Sequence, residues 1–175
     1  VNPKPVCGIT GDPANFIICE GRSITLTASA GAGYSYLWST GNTTQSITVS
    51  PTGNTTYSVT ITNAYNCSST CEQKVTVYEL PEATASGNST CVGGNITLTG
   101  GPNGMTYSWT GPNGYGNSSQ SRTITNATLA MIGTYTLTVT NGNGCSDSAS
   151  TNVTVYELPE ATASGNSTCV GGNIT

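Results

Sequence analysis

Twenty residues, Tyr78 to Thr97 (YELPEATASGNSTCVGGNIT), recur without a change from Tyr156 to Thr175, a displacement of 78 positions. A chain with such a period folds as successive copies of one small unit, and each copy must close a core from the same residues. The first unit aligns more loosely but in the same order. CEGRSITLT at Cys19 answers CVGGNITLT at Cys91, TTYSVTITNAYNCS at Thr55 answers GTYTLTVTNGNGCS at Gly133, and KVTVYELPEA at Lys74 answers NVTVYELPEA at Asn152. The expected division is residues 1–79 and 80–157 as two repeats, with 158–175 as the first strands of an incomplete third. Opening on Val1 rather than Met, the sequence reads as a mature or excised piece without a signal peptide.

Inside a repeat the apolar residues alternate. In the second, Ile96 and Leu98 share one parity and Asn95, Thr97 and Thr99 the other. Tyr107 and Trp109, Ile124, then Tyr135, Leu137 and Val139, then Val153 and Val155 continue the pattern. A period of two specifies half-buried strands. Gly100 to Gly104, Gly111 to Gly114 and Asn141 to Gly144 separate the runs with Gly, Pro and Asn, the residues that turns require. Composition agrees: 32 Thr, 20 Ser, 17 Asn and 22 Gly supply 91 of 175 residues, which favours strand and turn over helix. Short strands at this spacing predict an all-β fold of two packed sheets.

Charge excludes much of chemistry. Only 7% of residues are charged and none is His, against about 25% charged in an ordinary globular domain. No Ser-His or Cys-His nucleophile pair and no His metal ligand can be assembled, so an enzyme is not expected. Four dispersed cations, Lys4, Arg22, Lys74 and Arg122, do not neutralise a run of phosphates, so nucleic acid is not an expected partner. No apolar run approaches the roughly 18 residues of a membrane helix, and membrane insertion is not expected. Glu79 and Glu82, repeated as Glu157 and Glu160, have the look of paired glycosidase carboxylates. They flank Leu80-Pro81 and Leu158-Pro159 where repeats join, without an acid or aromatic cluster, and a stiff linker is the favoured reading. Asp12, Glu20 and Asp147 are the acids open to a calcium reading, but nothing like Asp-x-Asp-x-Asp-Gly supports it, and no cofactor is expected beyond covalent glycans.

A Trp on the third strand (Trp38, Trp109), the Gly-Thr-Tyr-x-Leu-x-Val run from Gly133 to Val139, and Tyr57 and Tyr135 at a tyrosine-corner position resemble an immunoglobulin-like sandwich. The order Cys-x-Gly-x-x-x-x-Leu-Thr, Tyr-x-Trp-x-x-Gly, Thr-Tyr-x-x-x-x-Thr, Gly-Cys-Ser, Val-Thr-Val, Leu-Pro resembles, over nearly the whole chain, the tandem Ig-like or PKD-like repeats of large bacterial surface and secreted proteins. The resemblance implies tandem immunoglobulin-like β-sandwiches in a linear array. Ile132 stands where a charged residue usually precedes the Gly-Thr-Tyr run, so that corner is expected to close differently.

In such sandwiches Cys91 is expected to pair with Cys145, and Cys19 with Cys67 at the matching positions of the first unit. Cys7 and Cys71, on the first and last strands of that unit, make a third pair, with Ala149 in place of Cys71 in the second unit. Cys169 repeats Cys91, and its partner is expected outside the chain. Zinc would need four converging ligands, and disulfides are the favoured reading. A bridge of roughly 2–4 kcal/mol matters to a unit with so small a core, and it implies an oxidising, extracellular or cell-surface location.

Ten Asn open an Asn-x-Ser/Thr sequon: Asn42, Asn54, Asn66, Asn88, Asn95, Asn117, Asn126, Asn152, Asn166 and Asn173. Asn95 and Asn152 alternate with core Ile96 and Val153 and so face solvent; Asn42, Asn54, Asn88 and Asn117 fall in turns. Asn66 is weaker because Cys67 is its middle residue, and Asn126 because it shares the parity of Ile124. Ser148, within Asp147-Ser148-Ala149, resembles a short bacterial O-glycan acceptor. The alternative is that Asn and Thr are merely abundant in turns and edges. A surface this poor in charge needs another means of hydration, which favours glycans.

The expected function is a segment of an extracellular, glycan-coated fibre or stalk whose partners are copies of itself or further repeats. The fragment 158–175 either continues into a longer array or completes a neighbour by strand addition. The alternative is an adhesin or carbohydrate-binding module, with Tyr65 and Tyr115 in loops as its aromatic candidates. Tyr34, Tyr36 and Trp38 alternate like a sugar platform, but a core Trp is the favoured reading.

Overall fold

The computed structural model describes residues 2–165. Contacts divide them into two compact units: one runs through Glu82 and takes in Thr140–Asp147, the other comprises Ala83–Val139 and the chain from Ser148. The short segment 140–147 falls inside the repeat 80–157 by sequence but belongs to the first unit by contact.

The first unit contains β1 (Ile9–Asp12), β2 (Ile17–Cys19), β3 (Ile24–Ala28), β4 (Ser35–Trp38), β5 (Ser46–Val49), β6 (Thr55–Thr62) and β7 (Ser68–Tyr78). One sheet has the order β1-β3-β5, the other β2-β7-β6-β4. Its pairs are antiparallel except β2 with β7, which run parallel and place Cys19 opposite Tyr78. Ile24, Leu26 and Ala28 of β3 are buried against Trp38, Val59, Ile61 and Val75 of the other sheet. The intervening residues are hydroxylated and pair across strands: Thr25 with Thr48 at 3.1 Å, and Thr27 with Ser46, Thr60 with Thr70 and Thr62 with Ser68 at 2.9 Å. Such cross-strand pairs contribute about 0.2–1 kcal/mol each. Here they stand where most sheets carry Lys and Glu.

The second unit is built from β8 (Thr84–Gly87), β9 (Thr90–Cys91), β10 (Ile96–Gly101), β11 (Thr106–Gly111), β12 (Tyr115–Asn117), β13 (Ser121–Ile124), β14 (Gly133–Thr140), β15 (Ser146–Val153) and β16 (Val155–Tyr156). Sheets of order β13-β10-β8 and β12-β11-β14-β15 enclose Ile96, Leu98, Trp109, Tyr135, Leu137, Val139 and Val153. Parallel β9 and β16 place Cys91 opposite Tyr156. Gly100 is held to glycine by packing, since a Cβ there would run into Leu137 and come within 3.3 Å of the Trp109 ring.

Alternation read from the sequence locates this core, with Tyr107 and Ile124 at its margin rather than inside. Two readings change. Tyr115 and Asn117, expected in a loop and a turn, form the short strand β12, with Asn117 opposite Trp109. Residues 157–165 carry no strand, and Asn166, Cys169 and Asn173 lie outside the described residues. Among the described residues no polar or charged side chain is buried, and no helix is long and apolar enough to cross a membrane.

Candidate functional site

The structure pairs Cys7 with Cys71 across the sandwich, from the segment preceding β1 to β7, with Cα atoms 5.7 Å apart. The expected pairs Cys19–Cys67 and Cys91–Cys145 do not form. Cys19 bonds Cys145 instead, 126 residues away, and Cys67 and Cys91 carry no disulfide. The reason lies in strand length. Cys67 immediately precedes β7 and Cys19 lies opposite Tyr78 at its far end, so eleven residues at about 3.3 Å each separate the two by roughly 35 Å. The second unit repeats the geometry, with Cys145 before β15 and Cys91 opposite Tyr156 of β16. An immunoglobulin bridge joins the middles of facing strands, whereas these cysteines sit at opposite ends of the sheet.

Two asparagines outside the sequons organise the hairpins. Asn141 Oδ1 accepts from the backbone N–H of Asn143 and Cys145, both at 3.0 Å, and its Nδ2 donates to the Glu79 carbonyl at 3.0 Å. Asn63 does the same with Tyr65 and Cys67 at 3.0 Å, and donates to the Pro3 carbonyl at 2.9 Å. The recurrence of Thr-Asn four residues before each Cys was the available signal.

Of the described sequon residues, Asn42, Asn54, Asn66, Asn88, Asn95, Asn126 and Asn152 are exposed and Asn117 is half-buried. Asn66 and Asn126 adopt φ values of 60° and 56° in turns, so neither points with the core. In Asn54, Asn117 and Asn152 the side-chain oxygen accepts a hydrogen bond, from Val77 N at 2.8 Å, Ser119 N at 2.8 Å and Thr134 Oγ1 at 2.7 Å. Asn88 differs, because its Nδ2 donates to the Asn95 carbonyl at 3.1 Å while its oxygen accepts from Thr97 N. Ser148 is exposed on β15.

Glu79, Glu82, Glu157 and Glu160 are exposed, as are Asp12 and Glu20. Among the described residues no three His, Cys, Asp or Glu side chains converge on a point.

The aromatic residues serve the interior. Trp38 and Trp109 are buried, and each indole donates to a backbone carbonyl, Thr44 at 2.8 Å and Ser119 at 3.2 Å. Tyr34 and Tyr36 pack half-buried against the first core rather than forming a platform. The Tyr135 hydroxyl donates to the Met131 carbonyl four residues upstream at 3.1 Å, so the corner closes on backbone with Ile132 left exposed. Tyr65 stands 66% exposed at its turn. Tyr115 is turned inward: its ring meets Tyr135 edge to face at 5.3 Å, and it lines a cavity of about 180 Å³ with Pro112, Ile124 and Met131. This removes Tyr115 from the solvent-facing strip that sugar binding would need.

Each unit is an immunoglobulin-like β-sandwich. No protein-family model and no curated protein matches the chain. Solved structures do. Three N-terminal domains of the outer capsid protein Hoc of bacteriophage RB49 match at 20% identity over 85% of this chain and 58% of that one, with a TM-score of 0.39. The chain therefore spans little more than half of that structure. An amphioxus IgVJ-C2 molecule matches at 18% identity over 79% of this chain and 99% of its own, with a TM-score of 0.38. The paired Ig domains of DIP-gamma match at 12% over 80% and 92%, with a TM-score of 0.40. These are similarities of fold alone.

Two predictions arise here. The Tyr115 hydroxyl is buried without a hydrogen-bond partner, so Tyr115→Phe should stabilise the second unit by about 1 kcal/mol, because it removes an unsatisfied group and keeps the ring contact. Urea midpoints check this. Burial also pushes the Tyr57, Tyr115 and Tyr135 hydroxyls above the usual tyrosine range, with the Arg122 guanidinium partly opposing the shift at Tyr115 and Tyr115 adding to it at Tyr135. The unfolded chain releases these protons first. Their stabilisation is complete below about pH 10 and is lost as pH rises through the folded values, so the midpoint should fall between about pH 9 and pH 11.

Proposed function

We propose that this chain is a segment of an extracellular, glycan-coated fibre or stalk made of sandwich repeats joined end to end, of the kind found in large bacterial surface and secreted proteins. The observation that carries this is the Cys19–Cys145 bond, which ties a residue of the first repeat to one of the second. Two disulfides favour an oxidising compartment. The hydroxyl ladders and the exposed sequons give the outer faces hydration without charge, and glycans would shield edge strands from pairing. Its partners are copies of itself or further repeats.

The adhesin reading loses support with Tyr115 turned inward, since Tyr65 alone is no aromatic strip.

Imaging of native particles together with glycopeptide mass spectrometry tests the proposal. Filaments are expected, with sugar on Asn42, Asn54, Asn95 and Asn152. Occupancy should be lowest at Asn88, whose Nδ2 already holds the Asn95 carbonyl. Isolated particles with unmodified Asn throughout would overturn it.

A further inference from the structure

The two units share a framework, and fixed points in it show where they differ. Gln45 and Gln120 hold the same place. The carbonyl of each accepts from the backbone N–H of Ala28 or Gly100, at 3.0 and 2.9 Å, and the Nε2 of each donates to the carbonyl of that same residue, at 3.1 and 2.9 Å. Val49 lies opposite Ile24 as Ile124 lies opposite Ile96. Between such points the second unit is longer twice. Six residues separate Trp38 from Gln45 and ten separate Trp109 from Gln120; seven separate Val49 from Tyr57 and ten separate Ile124 from Tyr135.

The two additions meet. The first brings Pro112, Asn113 and Tyr115, the second the single turn Leu129–Met131, and Asn113 Nδ2 clamps one to the other by donating to the Ala130 carbonyl at 2.8 Å. Gly133 gives Pro112 its place, since a Cβ there would stand 2.8 Å from Pro112 Cγ. The cavity of about 180 Å³ is enclosed by residues of both additions together with Ile124 and Tyr135, and none of the described residues lining it is charged. Tyr115, in its wall, keeps a buried hydroxyl without a partner. Such a group is destabilising, and Phe would fill the same space without it. The first unit closes its core with neither addition. What the additions build in the second is a preformed apolar chamber with one unused hydrogen-bonding group, the usual make-up of a small-molecule site.

We propose that this cavity binds a small neutral compound of one ring bearing one hydrogen-bonding oxygen, the class of p-cresol, with the ring in the apolar volume and the oxygen paired to the Tyr115 hydroxyl. Size sets the ring: an apolar cavity of about 150 Å³ holds benzene, so this one has room for a ring and a small substituent. The uncharged lining sets the neutrality, because a charge buried there would have no counter-charge. One free hydroxyl sets the single oxygen. A sugar would bury several hydroxyls against that one partner, which separates this site from a carbohydrate-binding surface. The cavity lies wholly within the second unit and is independent of the fibre reading.

The test titrates the full chain with p-cresol and with toluene, which has the same ring and methyl group but no oxygen, and reads backbone amide shifts by NMR. p-Cresol should saturate one site at about 1 mM or tighter, move amides within residues 111–116 and 128–135, and bind about fivefold or more tighter than toluene, the worth of one neutral hydrogen bond. Tyr115→Phe should lose that preference, with cresol weakened about fivefold and toluene unchanged, although the variant is the more stable protein when empty. Met131→Phe, which fills the cavity, should abolish binding of both probes. If Met131→Phe does not fold, the Tyr115→Phe comparison decides alone. Shifts confined to other residues, or no saturation by about 10 mM, would overturn the site. Equal affinity for the two probes, or cresol binding unaltered by Tyr115→Phe, would overturn it as well, leaving a hydroxyl that a trapped water satisfies.

Discussion

Changing Cys19 and Cys145 together to Ser should lower stability by about 4 kcal/mol, whereas changing Cys67 and Cys91 together should shift it by less than about 0.5 kcal/mol. The bond joins positions 126 residues apart, and closing a loop of that size removes about 4–5 kcal/mol of entropy from the unfolded chain in the loop-entropy model. Losing it also frees the Asn141 hairpin from its covalent hold beside Tyr78 and Glu79. Urea unfolding without reductant reads both variants. Disulfides closed within each repeat would give a different pattern, with the Cys67 and Cys91 double variant now strongly destabilised.

Trp109→Ala should remove about 3–5 kcal/mol from the second unit, the usual loss for a large aromatic cut from a core. The indole is 1% exposed among Leu98, Tyr135 and Leu137 and ties its strand to the Ser119 carbonyl. A unit of this size has only about 4–12 kcal/mol to lose. The variant should therefore be unfolded or nearly so in that unit at 37 °C. Trp38 then remains as the sole tryptophan and reports the first unit. The expected result is a buried-type Trp38 emission with about half of the far-ultraviolet strand signal gone. A loss below about 1 kcal/mol would mean that Trp109 is not a core residue.

The strand pattern was legible because it is local. Ile96, Leu98, Tyr135, Leu137 and Val139 declare a period of two, and the same residues fill the core. Trp38 and Trp109 could be placed inside for the same reason. The cysteine partners were not legible, because pairing depends on where strand ends fall in space. Cys19 and Cys67 occupy corresponding positions with respect to Cys91 and Cys145, so the repeat shows which cysteines are equivalent and is silent on which are neighbours. The parallel pairing of β2 with β7 carries Cys19 to the end of β7 remote from Cys67. Nothing in the alternation announces a parallel pair three residues long. Tyr115 was misplaced for a related reason: Gly-Pro-Asn-Gly before it reads as a loop, yet the chain resumes pairing at once and turns the ring onto Tyr135. Sequons, in turn, declare which Asn are eligible but not which side chains are occupied, and Asn88 is occupied by its bond to Asn95.

The central claim is that Cys19 bonds Cys145, a residue that the sequence repeat assigns to the second copy and the contacts assign to the first unit. Tryptic mapping of the monomeric chain, with free thiols blocked beforehand, tests it most directly. Cleavage after Arg22, Lys74 and Arg122 gives peptides 1–22, 23–74, 75–122 and 123–175, because Lys4 is followed by Pro5. With Cys7–Cys71 and Cys19–Cys145 in place, peptides 1–22, 23–74 and 123–175 should emerge as one disulfide-linked species, and peptide 75–122 should emerge alone with a blocked Cys91. Peptide 75–122 bonded to 123–175, with 1–22 bonded only to 23–74, would contradict it.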